Sequence, residues 1–158
     1  GLDAVALERA MAKIRVMPGA RALVQTMRSN GAYCALVSGG FTYYTQHIRD
    51  RIGFDMDQAN TLEVENGKIT GIVTDPILGR NAKRQALMRL CRERGIDTTD
   101  AIAVGDGAND LAMLATAGVG VAFHAKPFVA KQARTIIDNG DLTALLYVQG
   151  YRQSDFRA

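Results

Sequence analysis

Two short apolar runs, each ending in a glycine-rich polar turn, constrain the fold of this chain more than any other feature of its sequence. The runs lie within the predicted strands 32–37 and 100–104, and the turns after them are Ser38-Gly39-Gly40 and Gly105-Asp106-Gly107-Ala108-Asn109-Asp110. A helical pattern follows each turn, and such continuous apolar runs are typical of strands buried in a parallel sheet. In open α/β folds, ligands bind at the carboxyl ends of such strands. The sequence therefore predicts an α/β fold in which both turns lie at that edge.

The rest of the pattern completes an alternation of helices and strands. Apolar residues at helical spacing predict helices over residues 3–15, 20–27, 41–52, 81–94, 109–117 and 126–134, and a last helix capped by Asp141. The dipeptide Asn66-Gly67 between residues 61–65 and 68–73 predicts a β-hairpin, and residues 119–123 predict a further strand. This alternation with one inserted hairpin favours an α/β fold with a parallel sheet.

Composition excludes several classes of partner. The formal charge of +3 comes from 19 basic and 16 acidic residues without a basic cluster, which argues against nucleic-acid binding and slightly favours an anionic small substrate. No apolar run approaches the roughly 20 residues of a membrane helix. Cys34 and Cys91 fit no metal-site spacing, so we expect two reduced, buried thiols in a cytosolic protein.

The Ser38-Gly39-Gly40 turn is compatible with two roles. Its glycines leave backbone N–H groups open at the start of a helix and the Ser38 hydroxyl is a neutral donor, which together suit an anion. The same residues also serve a plain strand-to-helix turn, in which glycine permits a positive φ and serine caps the helix. The turn by itself does not decide between these roles.

The second turn points more strongly to chemistry. It places Asp106 at a strand end and Asp110 in the first helical turn, so that both carboxylates can face one crevice. Mg²⁺ takes oxygen ligands in octahedral geometry and keeps waters beside one or two carboxylates. A carboxylate that offsets the helix dipole would explain one aspartate, but not two together with Asn109 and two glycines. The turn therefore predicts a Mg²⁺ site.

Three other side chains are weaker candidates. Lys83 lies in the first turn of a predicted helix, where it is either a point charge for a phosphate or a solvated surface lysine. The only histidines, His47 and His124, are far apart in sequence, which argues against a histidine metal site. His47 is predicted on a helix surface. His124 follows a strand, where a position in the crevice is the alternative to a surface position.

In their order along the chain, these motifs resemble those of the haloacid dehalogenase superfamily. The motifs are Val37-Ser38-Gly39-Gly40-Phe41, Asn81-Ala82-Lys83, Gly105–Asp110 and, after the last strand, Phe123-His124-Ala125-Lys126-Pro127. The resemblance covers nearly the whole chain, and it is narrower with the members that hydrolyse O-phosphoserine. It implies a Rossmann-like core, Mg²⁺ as cofactor, a small phosphomonoester as partner, and hydrolysis through an aspartyl-phosphate.

The resemblance also implies a role for each candidate residue. The residues that would bind substrate are Ser38, Gly39, Lys83 and Asn109. Of these, Lys83 would also be catalytic, because it neutralises the charge of nucleophile and phosphate. The metal would be bound by Asp106, with Asp110 in a supporting role.

The chain departs from the superfamily pattern at the first motif. That motif, aspartate-x-aspartate at the end of the central strand, supplies the nucleophile and the general acid. The spacing occurs here only in Asp55-Met56-Asp57, which follows Gly53-Phe54 rather than a strand and comes after the serine motif. We therefore expect residues 1–16 to be the C-terminal remnant of a helical cap. Residues 17–158 would be an incomplete core that lacks its central first strand.

On this expectation the chain, which begins with Gly1, is the C-terminal part of a longer phosphatase and is inactive by itself. Its unpaired strands would favour a homodimer or a swapped assembly. One alternative is a phosphatase or phosphotransferase for another small phosphomonoester, since specificity lies largely in the cap. Another is a non-catalytic binding or assembly module. An unrelated nucleotide-binding fold is disfavoured, because neither GxGxxG nor GxxxxGK[ST] occurs.

Overall fold

The structure, a computed structural model, describes residues 1–158. Its helices and strands in chain order are β1 (Leu2–Asp3), α1 (Val5–Met11), α2 (Ala20–Ser29), β2 (Ala35–Phe41), α3 (Thr42–Ile52), β3 (Met56–Glu65), β4 (Lys68–Thr74), α4 (Ala82–Glu93), β5 (Ile102–Gly105), α5 (Leu111–Thr116), β6 (Val119–Phe123), α6 (Pro127–Ala130), β7 (Thr135–Ile137) and α7 (Ala144–Val148). They divide into two units, one formed by Gly1–Ile77 with Asp141–Ala158 and the other by Leu78–Gly140.

The first unit contains a four-stranded mixed sheet of order β1-β4-β3-β2. β2 and β3 are parallel, whereas the other two pairs are antiparallel. Asn66 and Gly67 connect β3 to β4 with φ values of 50° and 76°, the positive values that a two-residue type I′ turn needs. The hairpin predicted from this dipeptide is confirmed.

The pairing of β2 with β3 is interrupted at the serine-glycine turn. Val37 pairs with Gln58 and Phe41 with Asn60, so β2 advances four positions where β3 advances two. The extra residues form a bulge, which takes the backbone of Ser38-Gly39-Gly40 out of the regular ladder. The parallel strand predicted over residues 32–37 is present, but its bounds are Ala35–Phe41, because pairing resumes at Phe41 and α3 begins only after it.

Helices α2 and α3 bury the core of the first unit. Its centre consists of Ala20, Val24, Cys34 and Ile52. Both cysteines of the chain are buried and unpaired, as predicted. Burial raises the pKa of the Cys34 thiol to about 11, with a further rise from Asp55 and an opposing effect of Arg28. Cys34 is therefore a packed, protonated core residue at neutral pH.

The second unit is a three-stranded parallel sheet of order β5-β6-β7 with α4, α5 and α6. Its core centres on Ala103, Leu114, Ala122 and Val129. A Cβ at Gly120 would overlap the carbonyl group of Leu114, so glycine is needed where β6 passes the backbone of α5. The alternation of helices with parallel strands confirms the predicted α/β class.

Several element boundaries differ from the sequence prediction. The predicted helix 109–117 is a 3₁₀ turn, Ala108–Asp110, followed by α5, and the predicted helix 126–134 ends at Ala130. Strands β1 and β7 were not predicted, because two or three residues carry too little periodicity. β3 begins five residues before the predicted Thr61, because its first half pairs with β2. Asp141 accepts the N–H of Thr143, just before α7 begins.

The helices of this structure include none with the length and apolar character needed to cross a membrane.

Candidate functional site

The turn after β5 is held together by the carboxylate of Asp110, which is only 2% exposed. Its Oδ2 accepts the backbone N–H of Asp106 at 2.9 Å and that of Gly107 at 3.0 Å. Its Oδ1 lies 2.6 Å from Nζ of Lys83. One carboxylate therefore satisfies two backbone donors and one cation, which is what a buried charge requires. A Cβ at Gly105 would overlap the Asp110 side chain, so this glycine makes the arrangement possible.

Asp106 differs from Asp110 in that its carboxylate is exposed and makes no hydrogen bond or ion pair. Its backbone is nevertheless fixed, since its N–H donates to Asp110 and its carbonyl accepts the N–H of Lys126 at 3.3 Å. The result is a free carboxylate on an anchored backbone at the carboxyl end of β5.

These carboxylates fit Mg²⁺ in one specific way. No three His, Cys, Asp or Glu side chains converge to form a metal cage. Mg²⁺ keeps several waters and needs one or two protein carboxylates, so a free Asp106 suits it. Both oxygens of Asp110 are already engaged, and this residue fixes the backbone that carries Asp106.

Lys83 lies in the first turn of α4, and its side chain is only 19% exposed. The low exposure and the ion pair with Asp110 show that Lys83 is not the solvated surface lysine that the sequence left as one alternative. An ammonium group has three donors, so donors remain for a second anion beside Asp110. The structure thus brings Lys83, Asp110 and the backbone of Asp106 into one contact network in the second unit.

A pocket of about 330 Å³ lies beside this turn. Its lining consists of Arg80, Asn81, Ala108, Asn109, Leu111 and Ala112. Asn109, the predicted substrate-binding residue, is exposed and shares the pocket with the exposed Arg80 and Asn81. With one guanidinium, two amides and no carboxylate, the lining suits a small anionic or polar group.

The serine-glycine turn lies in the first unit. The hydroxyl oxygen of Ser38 accepts the N–H of Gly40 at 3.0 Å, and Gly39 is exposed. Since α3 begins at Thr42 without a side-chain cap, Ser38 is not its capping residue. The turn therefore leaves the backbone of Gly39 and Gly40 exposed beside the Ser38 hydroxyl.

The other candidates have structural contacts. His47 is exposed on α3, as predicted, with Nδ1 2.5 Å from the carbonyl oxygen of Tyr43. His124 is exposed, has φ of 45° and stacks on Phe123 at a ring separation of 4.1 Å.

The aspartates of the rejected Asp55-Met56-Asp57 motif are engaged in the fold. Asp55 is 2.8 Å from Arg28, and Asp57 accepts the hydroxyl of Thr45 at 2.6 Å and is 2.8 Å from Arg49. Neither carboxylate is free to act as a nucleophile.

One residue at the serine-glycine turn, Asn60, is not predicted from the sequence. Asn60 of β3 is buried, and its Nδ2 donates to the carbonyl of Gly39 at 3.1 Å. The available signal is a polar amide inside a run of strand-forming residues, but the predicted strand begins only at Thr61.

Comparison with known proteins identifies the relatives of this chain. The family model of the haloacid dehalogenase-like hydrolases matches residues 1–115. A phosphoserine phosphatase of Streptomyces coelicolor is 42% identical over 158 residues, which are 100% of this chain and 38% of that protein. A phosphoserine phosphatase of Polaromonas sp. is 45% identical over 138 residues, which are 85% of this chain and 58% of that protein.

A solved structure shares the fold. The phospho-aspartyl intermediate analogue of a phosphoserine phosphatase superposes with a TM-score of 0.87 at 37% identity, covering 93% of this chain and 70% of that one. The chain spans about half of the length of the curated relatives that it matches.

Proposed function

The chain belongs to the haloacid dehalogenase-like hydrolases, and from this premise we propose that the complete protein is a phosphoserine phosphatase. It would hydrolyse O-phospho-L-serine to serine and phosphate, the last step of serine biosynthesis. The relatives support this substrate, and two unpaired thiols support a cytosolic location.

The observation that carries the proposal is the contact network of Lys83, Asp110 and the Asp106 backbone. Phosphoryl transfer depends mainly on positioning and on neutralising negative charge. The network supplies both, because it fixes the backbone that carries the free Asp106 carboxylate. It also holds the partly buried ammonium group of Lys83 against Asp110 of the same turn.

Each residue of the network has a distinct task in this proposal. Asp106 would hold Mg²⁺, and Lys83 would donate to a phosphate oxygen with the hydrogens that Asp110 leaves free. Asp110 would keep the turn in the geometry that both require. Ser38 and the N–H of Gly39 would bind the remaining phosphate oxygens, and Asn109 would contact the substrate.

Mg²⁺, when bound, would supply charge stabilisation at the phosphoryl oxygens. The nucleophilic aspartate that the superfamily pattern requires has no counterpart among residues 1–158. We therefore propose the aspartyl-phosphate mechanism for the complete protein, with residues 1–16 as part of its cap and 17–158 as part of its core. We expect the 158-residue polypeptide alone to show no turnover.

Asp106→Asn tests the proposal. In the complete protein we expect this change to lower Mg²⁺-dependent hydrolysis of O-phosphoserine by about 10²–10³-fold, because a preorganised charge at the reacting group is lost. The matched control is Asp100→Asn, which alters an exposed carboxylate just before β5 and should leave the rate unchanged. Activity of Asp106→Asn within a few-fold of the unaltered protein would contradict the metal assignment.

A further inference from the structure

Asn60 connects the regular part of the first sheet to the irregular serine-glycine turn. It stands opposite Phe41, at the position where the β2–β3 ladder resumes after the bulge. Its side chain is buried, with the residue 8% exposed, and Nδ2 donates to the carbonyl of Gly39 at 3.1 Å. A buried amide therefore reaches from the ladder to the middle of the turn.

This contact has a consequence for the next residue of the turn. A peptide group is planar, so fixing the carbonyl of Gly39 also fixes the N–H of Gly40 on the opposite side of the same peptide. That N–H donates to Oγ of Ser38 at 3.0 Å. Asn60 therefore determines, through one peptide plane, which side of the Ser38 oxygen receives a hydrogen bond.

The hydroxyl of Ser38 is thereby left with a proton to give. A serine hydroxyl has one proton and two lone pairs, and Gly40 occupies one of the lone pairs. No acceptor in the structure takes the proton. Beside it, a Cβ at Gly39 would meet no atom within 4 Å, so the outer side of the turn is open to a ligand.

The glycines make such an external restraint necessary. Glycine has the widest choice of backbone conformations, so a Gly39-Gly40 turn does not hold its own geometry. The neighbouring ladder is interrupted there and supplies no regular hydrogen bonds between Val37 and Phe41. The amide of Asn60 is the side-chain contact that the structure provides to the carbonyl of Gly39.

We propose that Asn60 is a positioning residue for phosphate recognition, acting through the Gly39–Gly40 peptide to direct the hydroxyl of Ser38 toward a phosphate oxygen. This inference rests on the proposed phosphatase function. It adds to that function a residue that does not itself touch the substrate.

The test compares Asn60→Asp and Asn60→Ala with the unaltered complete protein. Asn60→Asp keeps the shape but removes the donor, and Asn60→Ala avoids a buried carboxylate that could itself disturb folding. The measurements are kcat and KM for O-phosphoserine and the inhibition constant of inorganic phosphate. We expect KM and the inhibition constant to rise about tenfold in both variants, as for one lost hydrogen bond to a charged group, with a smaller change in kcat.

The matched control is Thr26→Val. Thr26 is a buried polar residue of the same unit, and its Oγ1 accepts the N–H of Arg157 at 2.8 Å. This variant should lose stability without a change in the inhibition constant of phosphate. Asn60 variants that lose only thermal stability, with KM and the inhibition constant unchanged, would overturn the inference.

A double variant tests whether Asn60 acts through Ser38. If it does, Ser38→Ala combined with Asn60→Ala should bind phosphate within about twofold of Ser38→Ala alone, because neighbouring residues of one network are not additive. If the two substitutions instead weaken phosphate binding by independent factors that multiply in the double variant, the inference is overturned. The phosphatase proposal would stay intact. An unaltered complete protein that neither hydrolyses O-phosphoserine nor binds phosphate would instead contradict the proposed function.

Discussion

At the scale of single residues, the Lys83–Asp110 pair has the strongest consequences for the site. Asp110 is 2% exposed, so removing Lys83 would leave a buried carboxylate with only its two backbone donors. Removing one partner of a buried ion pair typically costs about 3–5 kcal/mol, because the other charge stays buried without compensation.

A double-mutant cycle measures this coupling. We expect Lys83→Met and Asp110→Asn each to lower the free energy of unfolding by about 3 kcal/mol, and the double variant to lose clearly less than the sum. Urea denaturation of the complete protein gives the values.

The control cycle uses a surface ion pair on the same helix. Arg89 and Glu93 are 3.2 Å apart, with side chains 42% and 55% exposed. Their coupling should stay below about 0.5 kcal/mol, because water screens exposed pairs. A Lys83–Asp110 coupling as small as that of the surface pair would contradict the conclusion that this ion pair compensates a buried charge.

The sequence places the candidates Asp106 and Asp110 in one turn but does not show that their carboxylates make different contacts. Asp106 and Asp110 are both acids at a strand end, and their spacing is equally compatible with two metal ligands. Only the structure shows that the Asp110 carboxylate accepts the N–H groups of Asp106 and Gly107, while the Asp106 carboxylate stays free. Asn60 was not predicted because its hydrogen bond to the Gly39 carbonyl depends on a bulge in the neighbouring strand.

At the scale of elements, the passage from β5 into α5 depends on the absence of a side chain at Gly105. A Cβ there would overlap Cβ and Cγ of Asp110, and this neighbour is buried and cannot move aside. The turn and the helix start would have to shift together.

Gly105→Ala should therefore destabilise the protein by about 1–3 kcal/mol, as overpacking of a filled site does. It should also weaken Mg²⁺-dependent activity, because the Asp106 backbone moves with the turn. Gly79→Ala is the matched control, since Gly79 has no positive φ and a Cβ there would meet nothing within 4 Å. Thermal unfolding measures the stability of both variants. Equal melting temperatures of Gly105→Ala and Gly79→Ala would contradict the packing argument.

Elements with strong local sequence signals were predictable, whereas strands that form only by pairing with a neighbouring strand were not. Asn66-Gly67 fixed the hairpin, and β6 has the predicted bounds Val119–Phe123. β7 is three residues long and exists because it pairs with β6. The first half of β3 likewise forms because it pairs with β2. Neither pairing can be recognised from the hydrophobic periodicity of the single segment.

At the scale of the whole molecule, both sheets end in strands that lack the usual protection of an edge. β2 is the last strand of the first sheet and β5 the first strand of the second. Natural edge strands carry charges or prolines that prevent pairing with other chains. Ala35–Phe41 and Ile102–Gly105 contain neither, so each presents unpaired backbone groups next to apolar side chains.

We therefore expect the 158-residue polypeptide to associate with itself through these edges. Size-exclusion chromatography with light scattering should give a concentration-dependent mass above the monomer mass of 17.0 kDa. Ile136→Lys is the control, because it places a charge on β7, which is also an edge but only three residues long. This variant should associate like the unaltered polypeptide. A monomer of 17.0 kDa at all concentrations, or loss of association in Ile136→Lys, would contradict the assignment of the open edges to β2 and β5.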